Sequence, residues 1–326
     1  MRKLSGMLLV LALGAGAWFA SQKWDIRGLD QIKLEPRSGE QSPQTAENPA
    51  PARQDGESLK IASFNIQVFG ESKQQKRHVM QVLSEVARQF DIVAIQEIRA
   101  MNQTVLPRFV DEINAAGRHY DYALGPRLGR TSSKEQYAYV YDTATVEIDR
   151  SSIYTVHDPD DLLHREPLVA SFRVRGPPPD QAFTFTLINI HTDPDDTYVE
   201  LNALDDVFRA VREDGSNEDD VILLGDLNVD DRHLGQLGEI PGITWAISGV
   251  PTNTRGTELY DNIVFDRRAT AEFTGSSGVM NLMQAFNLTM DQALEVSDHQ
   301  PIWAAFDLYE GGQPGRLATR PAPAAR

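Results

Sequence analysis

Residues 221–228 read VILLGDLN, an apolar run of strand length that ends on the polar residues Asp226 and Asn228. A run this rich in aliphatic residues is typical of a strand that is buried on both faces. In open α/β sheets, ligands bind outside the carboxyl ends of the strands. We therefore expect Asp226 and Asn228 to face a pocket.

Two further stretches place histidines at the same kind of position. LINIH at residues 187–191 closes an apolar run on His191, and VSDHQPIW at residues 296–303 carries Asp298 and His299. Either histidine alone is equally well explained as a hydrogen-bonded core or loop residue. Together they offer one general acid and one general base, which metal-assisted cleavage of a phosphodiester requires.

The first two strand-like segments also end on polar residues. IASFN at residues 61–65 ends on Asn65, and IVAIQE at residues 92–97 ends on Glu97. A turn residue or a helix-start charge would explain each of them singly. That explanation does not account for the same pattern at five successive strand ends. The sequence therefore predicts one acidic pocket that holds hard oxygen ligands for a divalent cation.

The distribution of strands and helices predicts the fold class. The strand-like segments are Leu59–Phe64, Asp91–Gln96, Gln136–Tyr141, Pro167–Val174, Phe183–Ile190, Asp220–Leu224, Leu259–Phe265 and Pro301–Leu308. Helical spacing of apolar residues occurs at 79–90, at 104–116 and after His191, where Thr197 and Glu200 match a capping box. Strands and helices alternate early and strands cluster later, which predicts a mixed α/β sandwich with helices on the outside.

The two ends of the chain differ in composition from its middle. An apolar stretch at residues 7–20 follows two basic residues and favours a signal peptide, with a retained membrane anchor as the alternative. Either one predicts export to the periplasm or the extracellular space. Proline and small polar residues dominate both flanks of the central part, which predicts disorder there. The expected divisions are signal or anchor 1–30, disordered linker 31–58, one domain 59–309 and disordered tail 310–326.

Charge and cysteine content limit the classes of function. Residues 59–309 contain 21 Lys and Arg against 39 Asp and Glu, a net charge of −18, while the whole chain carries −16. An acidic domain of this kind is a poor non-specific binder of polyanions, which argues against a basic DNA-binding module but not against an enzyme that acts on phosphates. The chain has no cysteine, so its stability depends on the core and not on disulfides.

Several of these stretches resemble the endonuclease/exonuclease/phosphatase superfamily and, within it, the deoxyribonuclease I branch. The resemblance covers residues 59–309. Its motifs are KIASFNI at 60–66, IQEIR at 95–99, LGR at 128–130, KEQY at 134–137, REP at 165–167, GDLN at 225–228, YDNIV at 260–264 and SDH at 297–299. The Gly-Asp-x-Asn and Ser-Asp-His runs mark the superfamily, and the Lys-Glu-Gln-Tyr and Arg-Glu-Pro runs favour the narrower branch. The resemblance implies a four-layer sandwich of two packed mixed β-sheets flanked by helices.

The resemblance also implies catalytic roles. His191 would be the general acid toward the leaving 3′ oxygen, with Glu135 holding its other ring nitrogen. His299 would activate the attacking water and would be oriented by Asp261. A carboxylate behind each imidazole fixes its tautomer and raises its basicity.

Metal and phosphate contacts are implied in the same way. The residues that would hold Mg²⁺, for which Mn²⁺ is an expected substitute, are Glu97, Asn65 and Asp298. The residues that would contact a second metal or the scissile phosphate are Asp226 and Asn228. The residues that would grip backbone phosphates of DNA are Arg99, Arg130 and Arg165. A calcium requirement is left open, and no protein partner is predicted.

The chain departs from the family pattern at positions that contact duplex DNA. Gln67 stands where the family has an arginine, and Ser133 stands where it has a groove-stacking tyrosine. Val250 replaces an aspartate of the family's calcium loop. The expected activity is an Mg²⁺-dependent DNA endonuclease that leaves 5′-phosphate ends. The alternatives are a phosphatase or sphingomyelinase-like phospholipid phosphodiesterase of the same superfamily, or a non-catalytic binding protein on the same fold.

Overall fold

The computed structural model describes residues 58–130, 134–216 and 218–312. The predicted signal or anchor segment, nearly all of the predicted linker and Ser133 lie outside the described residues. No helix within the described ranges is long and apolar enough to span a bilayer. The predicted tail begins at Glu310, yet the backbone N–H of Glu310 donates to the carbonyl of Gln181 at 3.0 Å, so ordered contacts continue past Tyr309.

Within these ranges, twelve strands and seven helices follow the chain order. The strands are β1 Leu59–Phe69, β2 Ile92–Ile98, β3 Tyr120–Leu124, β4 Gln136–Asp142, β5 Val146–Thr155, β6 Leu168–Val174, β7 Thr184–His191, β8 Val221–Asp226, β9 Ile243–Trp245, β10 Asp261–Asp266, β11 Phe273–Val279 and β12 Ile302–Phe306. The helices are α1 Glu71–Gln74, α2 Arg77–Ala87, α3 Val105–Asn114, α4 Thr197–Arg212, α5 Gly235–Glu239, α6 Leu282–Phe286 and α7 Met290–Val296.

The strands form two mixed sheets of six. The first has the order β11-β12-β1-β2-β4-β3 and the second has the order β5-β6-β7-β8-β10-β9. Each sheet has one parallel pair, β1 with β2 and β7 with β8, and the other pairs are antiparallel. A parallel pair needs a crossover connection, and α2 and α4 lie within these two crossovers.

Three apolar clusters hold the layers together. The cluster between the sheets is rich in aromatic residues, and Phe183 stacks on Phe306 of β12 with ring centroids 6.0 Å apart. Helices α2 and α3 bury their apolar faces against the first sheet, and α4 buries its face against the second. Each fully buried Phe or Leu contributes about 1.5–3 kcal/mol relative to an exposed side chain. The predicted four-layer sandwich is confirmed.

Polar side chains also cross between the two sheets. The hydroxyl of Tyr139 on β4 donates to the carbonyls of Leu168 and Leu187 at 2.7 and 3.0 Å. The amide of Gln96 donates to Asn189 Oδ1 at 2.7 Å. These buried hydrogen bonds fix the distance between the two sheets and the alignment of one sheet on the other.

Strand register brings the sequence motifs to one edge of the sandwich. The parallel pairing of β7 with β8 places His191 opposite Asp226, and the antiparallel pairing of β8 with β10 places Asp226 opposite Asp261. Gly225 precedes this aspartate with φ +152, and a Cβ there would lie 1.8 Å from the carbonyl oxygen of Ile190. Only glycine fits there, which explains the Gly-Asp sequence.

One local expectation is wrong. Helix α4 begins at Thr197 after Asp196, without a side-chain cap hydrogen bond, so the predicted capping box is absent. The carboxylate of Glu200 is instead fully buried and accepts hydrogen bonds from the backbone N–H groups of His164 and Asp193, at 2.6 and 2.9 Å. The Glu200 carboxylate therefore holds the loops of His164 and Asp193 beside the edge of the sandwich where the sequence motifs meet.

Candidate active site

Each of the two histidines is backed by a buried carboxylate. His191 Nδ1 lies 2.7 Å from Glu135 Oε1, and His299 Nδ1 lies 2.9 Å from Asp261 Oδ2. Both acids are at most 1% exposed. The hydroxyl of Thr252 donates to Asp261 Oδ2 at 2.7 Å and holds that carboxylate in place. In both pairs the carboxylate binds Nδ1, which leaves Nε2 to face the cavity.

The two free imidazole nitrogens converge on one atom. His191 Nε2 and His299 Nε2 each lie 3.5 Å from Asp226 Oδ2. Asn65 Nδ2 donates to the same oxygen at 3.0 Å. The imidazoles therefore approach a common point from two sides, as an acid and a base acting on one phosphodiester must.

The surrounding acids change the protonation of both imidazoles. Burial lowers the pKa of His299, but the carboxylates of Asp261 and Asp226 outweigh it and raise this pKa to about 10. Burial also opposes the charged form of His191, and the Glu135 carboxylate outweighs it, so the pKa of His191 is raised as well. A cation beside these carboxylates would lower both pKa values.

The oxygen ligands that a divalent cation needs are present at this edge. Glu97 has φ 61, a left-handed conformation that is uncommon outside glycine and is concentrated at functional sites. Its Oε1 accepts from Asn65 Nδ2 at 3.4 Å. Asp298 accepts from Gln67 through one oxygen at 2.8 Å, and its other oxygen, Oδ1, has no hydrogen-bond partner among the described residues. The unpartnered oxygen of Asp298 fits a hard cation such as Mg²⁺, whereas both oxygens of Glu97 already have protein partners.

The structure brings two of the three predicted phosphate-binding arginines to the cavity. Arg99 Nη2 lies 3.0 Å from Glu97 Oε2. Arg165 Nε donates to the carbonyl of His191 at 3.0 Å, and its buried Nη2 has no hydrogen-bond partner among the described residues. The Nη2 group of Arg165 is therefore available to donate a hydrogen bond.

Arg130 is placed differently from the other two arginines. Its Nε lies 3.1 Å from Asp161 Oδ1, and its Nη2 donates to the carbonyls of Asp161 and Leu163. These contacts hold it against the loop before β6, and it does not line the cavity. Its predicted role in phosphate binding remains a prediction.

Asn228 occupies the cavity wall next to the histidines. Its amide donates to the carbonyl of Thr192 at 2.9 Å, and its backbone N–H donates to Asp226 Oδ1 at 3.1 Å. Like Glu97, it has a positive φ, 51°. The strand end is therefore shaped so that Asp226 and Asn228 both face the same space.

The catalytic edge opens into a cavity of ≈ 340 Å³. Its lining residues are Glu97, Arg99, His164, Arg165, His191, Asp193, Pro194, Asp195, Asp226, Asn228 and His299. Sequence reasoning missed His164 and Asp193, whose side chains lie 3.2 Å apart on the rim. The available signal was their position, one residue before the Arg-Glu-Pro run and two residues after His191. Tyr260 was also missed, and its ring lies 6.0 Å from the His299 ring.

Comparison with known proteins agrees with this geometry. The model of the Endonuclease/Exonuclease/phosphatase family matches residues 62–299. This chain belongs to that family. Among its relatives, deoxyribonuclease-1-like 1 of Cricetulus griseus is 34% identical over 258 residues, covering 76% of this chain and 83% of the relative. Deoxyribonuclease gamma of Homo sapiens is 31% identical over 263 residues, covering 75% and 84%.

Several solved structures share the fold at low sequence identity. Humanized TDP2 of D. rerio superimposes with a TM-score of 0.55 and 16% identity, covering 77% of this chain and 99% of that one. The mannosyl-6-phosphatase Bt3783 of Bacteroides thetaiotaomicron gives 0.51 and 16%, covering 76% and 98%. These similarities show the fold alone. The family and its deoxyribonuclease relatives make the chain a hydrolase that acts on phosphodiester bonds.

Proposed function

We propose that the chain is a DNA endonuclease that requires Mg²⁺, accepts Mn²⁺ in its place and leaves 5′-phosphate ends. The observation that carries this proposal is the pair of imidazoles, His191 and His299, that converge on Asp226 Oδ2 at 3.5 Å each. The relatives that are at least 30% identical and bear deoxyribonuclease names support DNA as the substrate.

His299 would act as the general base when the site holds a cation, because the positive charge beside Asp226 and Asp298 would lower the raised pKa of this imidazole and leave Nε2 free to accept a proton. Its Nε2 faces the cavity and takes a proton from the attacking water, while its Nδ1 proton stays on the side of Asp261. Because Thr252 and Asp261 hold the ring from behind, Nε2 keeps one direction throughout the reaction. The imidazolium that forms is stabilised by the same buried carboxylate.

His191 acts as the general acid. Its Nε2 donates a proton to the 3′ oxygen as the bond to phosphorus breaks, and Glu135 stabilises the charged ring before that step. The direction of its pKa shift suits this role, because an acid must hold its proton at neutral pH. The spare Nη2 of Arg165 donates to a phosphate oxygen beside the ring.

A bound divalent cation would supply positive charge against the charge that develops on the phosphate. The residues that would hold it are Glu97, Asn65 and Asp298, with Asp226 and Asn228 on the phosphate side. In the structure, the Asn65 amide donates to both Glu97 and Asp226, so it bridges these two carboxylates.

A substrate panel tests the proposal. The purified chain is incubated with supercoiled plasmid, single-stranded DNA, RNA and sphingomyelin vesicles, each with and without Mg²⁺. We expect Mg²⁺-dependent nicking of the plasmid, and 5′-phosphate ends that ligase can reseal. The variant His299→Ala, purified in parallel, detects contaminating nuclease. Hydrolysis of sphingomyelin without nicking would assign the chain to another branch of the family.

Gln67 offers a test of how tightly the enzyme binds duplex DNA. Gln67 Nε2 donates to Asp298 Oδ2 at 2.8 Å, so position 67 lies beside the metal-binding acids and carries no charge. We expect Gln67→Arg to tighten binding and to steepen the slope of log affinity against log salt by about 0.9, the value of one added phosphate contact. Binding measured from low to moderate salt checks this.

The exposed Gln89 provides the matched control, since it lies between α2 and the start of β2, whereas Glu97 lies at the other end of that strand. Gln89→Arg adds the same charge there and should leave the slope unchanged. Equal slopes for wild type and Gln67→Arg would mean that position 67 does not face DNA. The other departure from the family pattern, Ser133, lies outside the described residues.

Export is part of the same proposal. The apolar stretch at residues 7–20 favours a secreted or periplasmic enzyme, either released by cleavage or retained by an anchor. A cell fractionation with detection of the chain's N-terminus would separate the two.

A further inference from the structure

A second group of acids lies at the end of the sandwich opposite the catalytic edge. Asp220 immediately precedes β8, Glu272 immediately precedes β11, and Glu310 follows β12. The catalytic Asp226 ends β8, so a full strand length of about 20 Å separates the two groups. Catalysis therefore gives no reason for these acids to be gathered.

The three carboxylates are close enough to share one ion. One oxygen atom of each lies within 4.8 Å of the others. Ca²⁺ binds oxygen at about 2.3–2.6 Å, so oxygens on opposite sides of one ion are separated by about twice that distance. The spacing of the cluster fits a single ion of this size, with Glu310 exposed and open to solvent.

Two buried oxygens in this cluster accept no well-aligned hydrogen bond from a described residue, although Asp220 interacts with the hydroxyl of Thr270 and with the carboxylate of Glu272. These two oxygens are Asp220 Oδ1 and Glu272 Oε2, and each residue is 1% exposed. The second oxygen of Glu272 accepts from the backbone N–H of Gly311 at 2.5 Å, and one oxygen of Glu310 accepts from that of Thr184 at 3.2 Å. Backbone groups thus orient two of the carboxylates and leave free oxygens within the cluster.

In the described part of the chain, no basic side chain compensates these acids. Within the described ranges, no lysine, arginine or histidine forms an ion pair with Asp220, Glu272, Glu310 or the neighbouring Glu218. Burial and then the charge of Glu272 raise the pKa of Asp220 to about 9. Buried carboxylates in native proteins are normally paired or coordinate a metal.

We propose that Asp220, Glu272 and Glu310 bind one Ca²⁺ that stabilises the fold and takes no part in catalysis. Asp220 leads into the second sheet, whereas Glu272 and Glu310 flank strands of the first. The ion would therefore link the two sheets at the end opposite the catalytic residues, beside the backbone hydrogen bonds that join Phe183 to Leu308 and Glu310 to Gln181. An all-oxygen set with this spacing favours Ca²⁺ over the smaller Mg²⁺, which keeps several waters.

The test uses the full chain, stripped of metal with a chelator and then dialysed. We expect millimolar Ca²⁺ to raise its Tm by several degrees, because a ligand that binds only the folded state stabilises it. Glu272→Gln and Asp220→Asn should each remove this Ca²⁺-dependent rise while keeping plasmid nicking in saturating Mg²⁺. Both variants should melt at or above the Tm of the metal-free wild type, because repulsion between the acids is relieved.

Asp180→Asn is the matched control, since Asp180 is an exposed acid in the loop that leads to the same end of β7. It should keep the full rise in Tm. A Ca²⁺ effect that survives in both Glu272→Gln and Asp220→Asn would place the ion elsewhere and overturn the proposal.

The absence of any effect of Ca²⁺ on the Tm would also overturn the proposed Ca²⁺ site. If the acids share a proton and bind no ion, Ca²⁺ leaves the Tm unchanged at every pH. The stability of the wild type then falls as pH rises toward the raised pKa of Asp220, because the folded state binds the proton more tightly than the unfolded state does. Measuring Tm at several pH values with and without Ca²⁺ distinguishes the two cases.

Discussion

Replacing His299 with alanine is expected to lower kcat for DNA cleavage by about 10²–10⁴-fold, and His191→Ala by a similar factor. The reason is that each imidazole presents Nε2 to the common point at Asp226 and is held there by its own carboxylate. Alanine removes the proton acceptor or donor and leaves the sheets intact. Single-turnover cleavage of plasmid, with Tm measured on the same samples, checks this expectation.

The double variant and a surface histidine provide the controls. Groups that act as a unit are non-additive, so the variant that lacks both His191 and His299 should be little slower than either single variant. His233→Ala should cleave at the wild-type rate, since His233 is exposed and its ring pairs with Asp230 on the surface. A correctly folded single variant at His191 or His299 with near-wild-type kcat would remove that histidine from the mechanism.

Chelation of divalent cations is expected to abolish cleavage. Glu97, Asp226 and Asp298 place negative charge where an anionic phosphodiester must approach, in a domain of net charge −18 from 21 basic and 39 acidic residues. Without a cation the substrate is repelled and the developing charge is not stabilised. Plasmid nicking in excess EDTA should therefore fall to background.

Restoring the cation identifies its ligands. Adding Mg²⁺ to the dialysed protein should restore the rate, and Mn²⁺ should do so too. Glu97→Gln should require a much higher Mg²⁺ concentration for half-maximal rate, because it removes a charged ligand. Undiminished nicking in EDTA would mean that the protein side chains alone carry the reaction.

The strands that flank the site were predictable, and several edge strands were not. Runs such as Val221–Asp226 are apolar on both faces, so their pattern is plain in the sequence. Strand β5 is half exposed, with a run of polar residues at its centre, and β11 contains Gly275 at φ +81. Such strands depend on pairing with a neighbour and not on their own periodicity, so no local pattern identifies them.

Glu97, His191, Asp226 and Asn228 were predictable for the same reason, since each lies at or just after the carboxyl end of a buried strand. The expected strand end is wrong for Asp298 and His299, which lie between α7 and β12. Glu135 and Asp261 stand at the start of their strands, and only the family resemblance indicated them. The orientation of their side chains was not predictable. That Gln67 binds Asp298, or that Glu200 fixes two loops in place of capping a helix, depends on residues far apart in the chain. Arg130 is the clearest case of an orientation that the sequence does not predict, because its motif predicts a phosphate contact while its guanidinium contacts Asp161.

The acid and the base of the proposed reaction come from different sheets. His191 ends β7 of the second sheet and His299 leads into β12 of the first. Their separation is therefore set by the packing of the whole interior, including the hydroxyl of Tyr139 that spans the sheets. A substitution deep in the core would alter turnover without touching substrate, so distance from the cavity is a poor guide when variants of this enzyme are interpreted or designed.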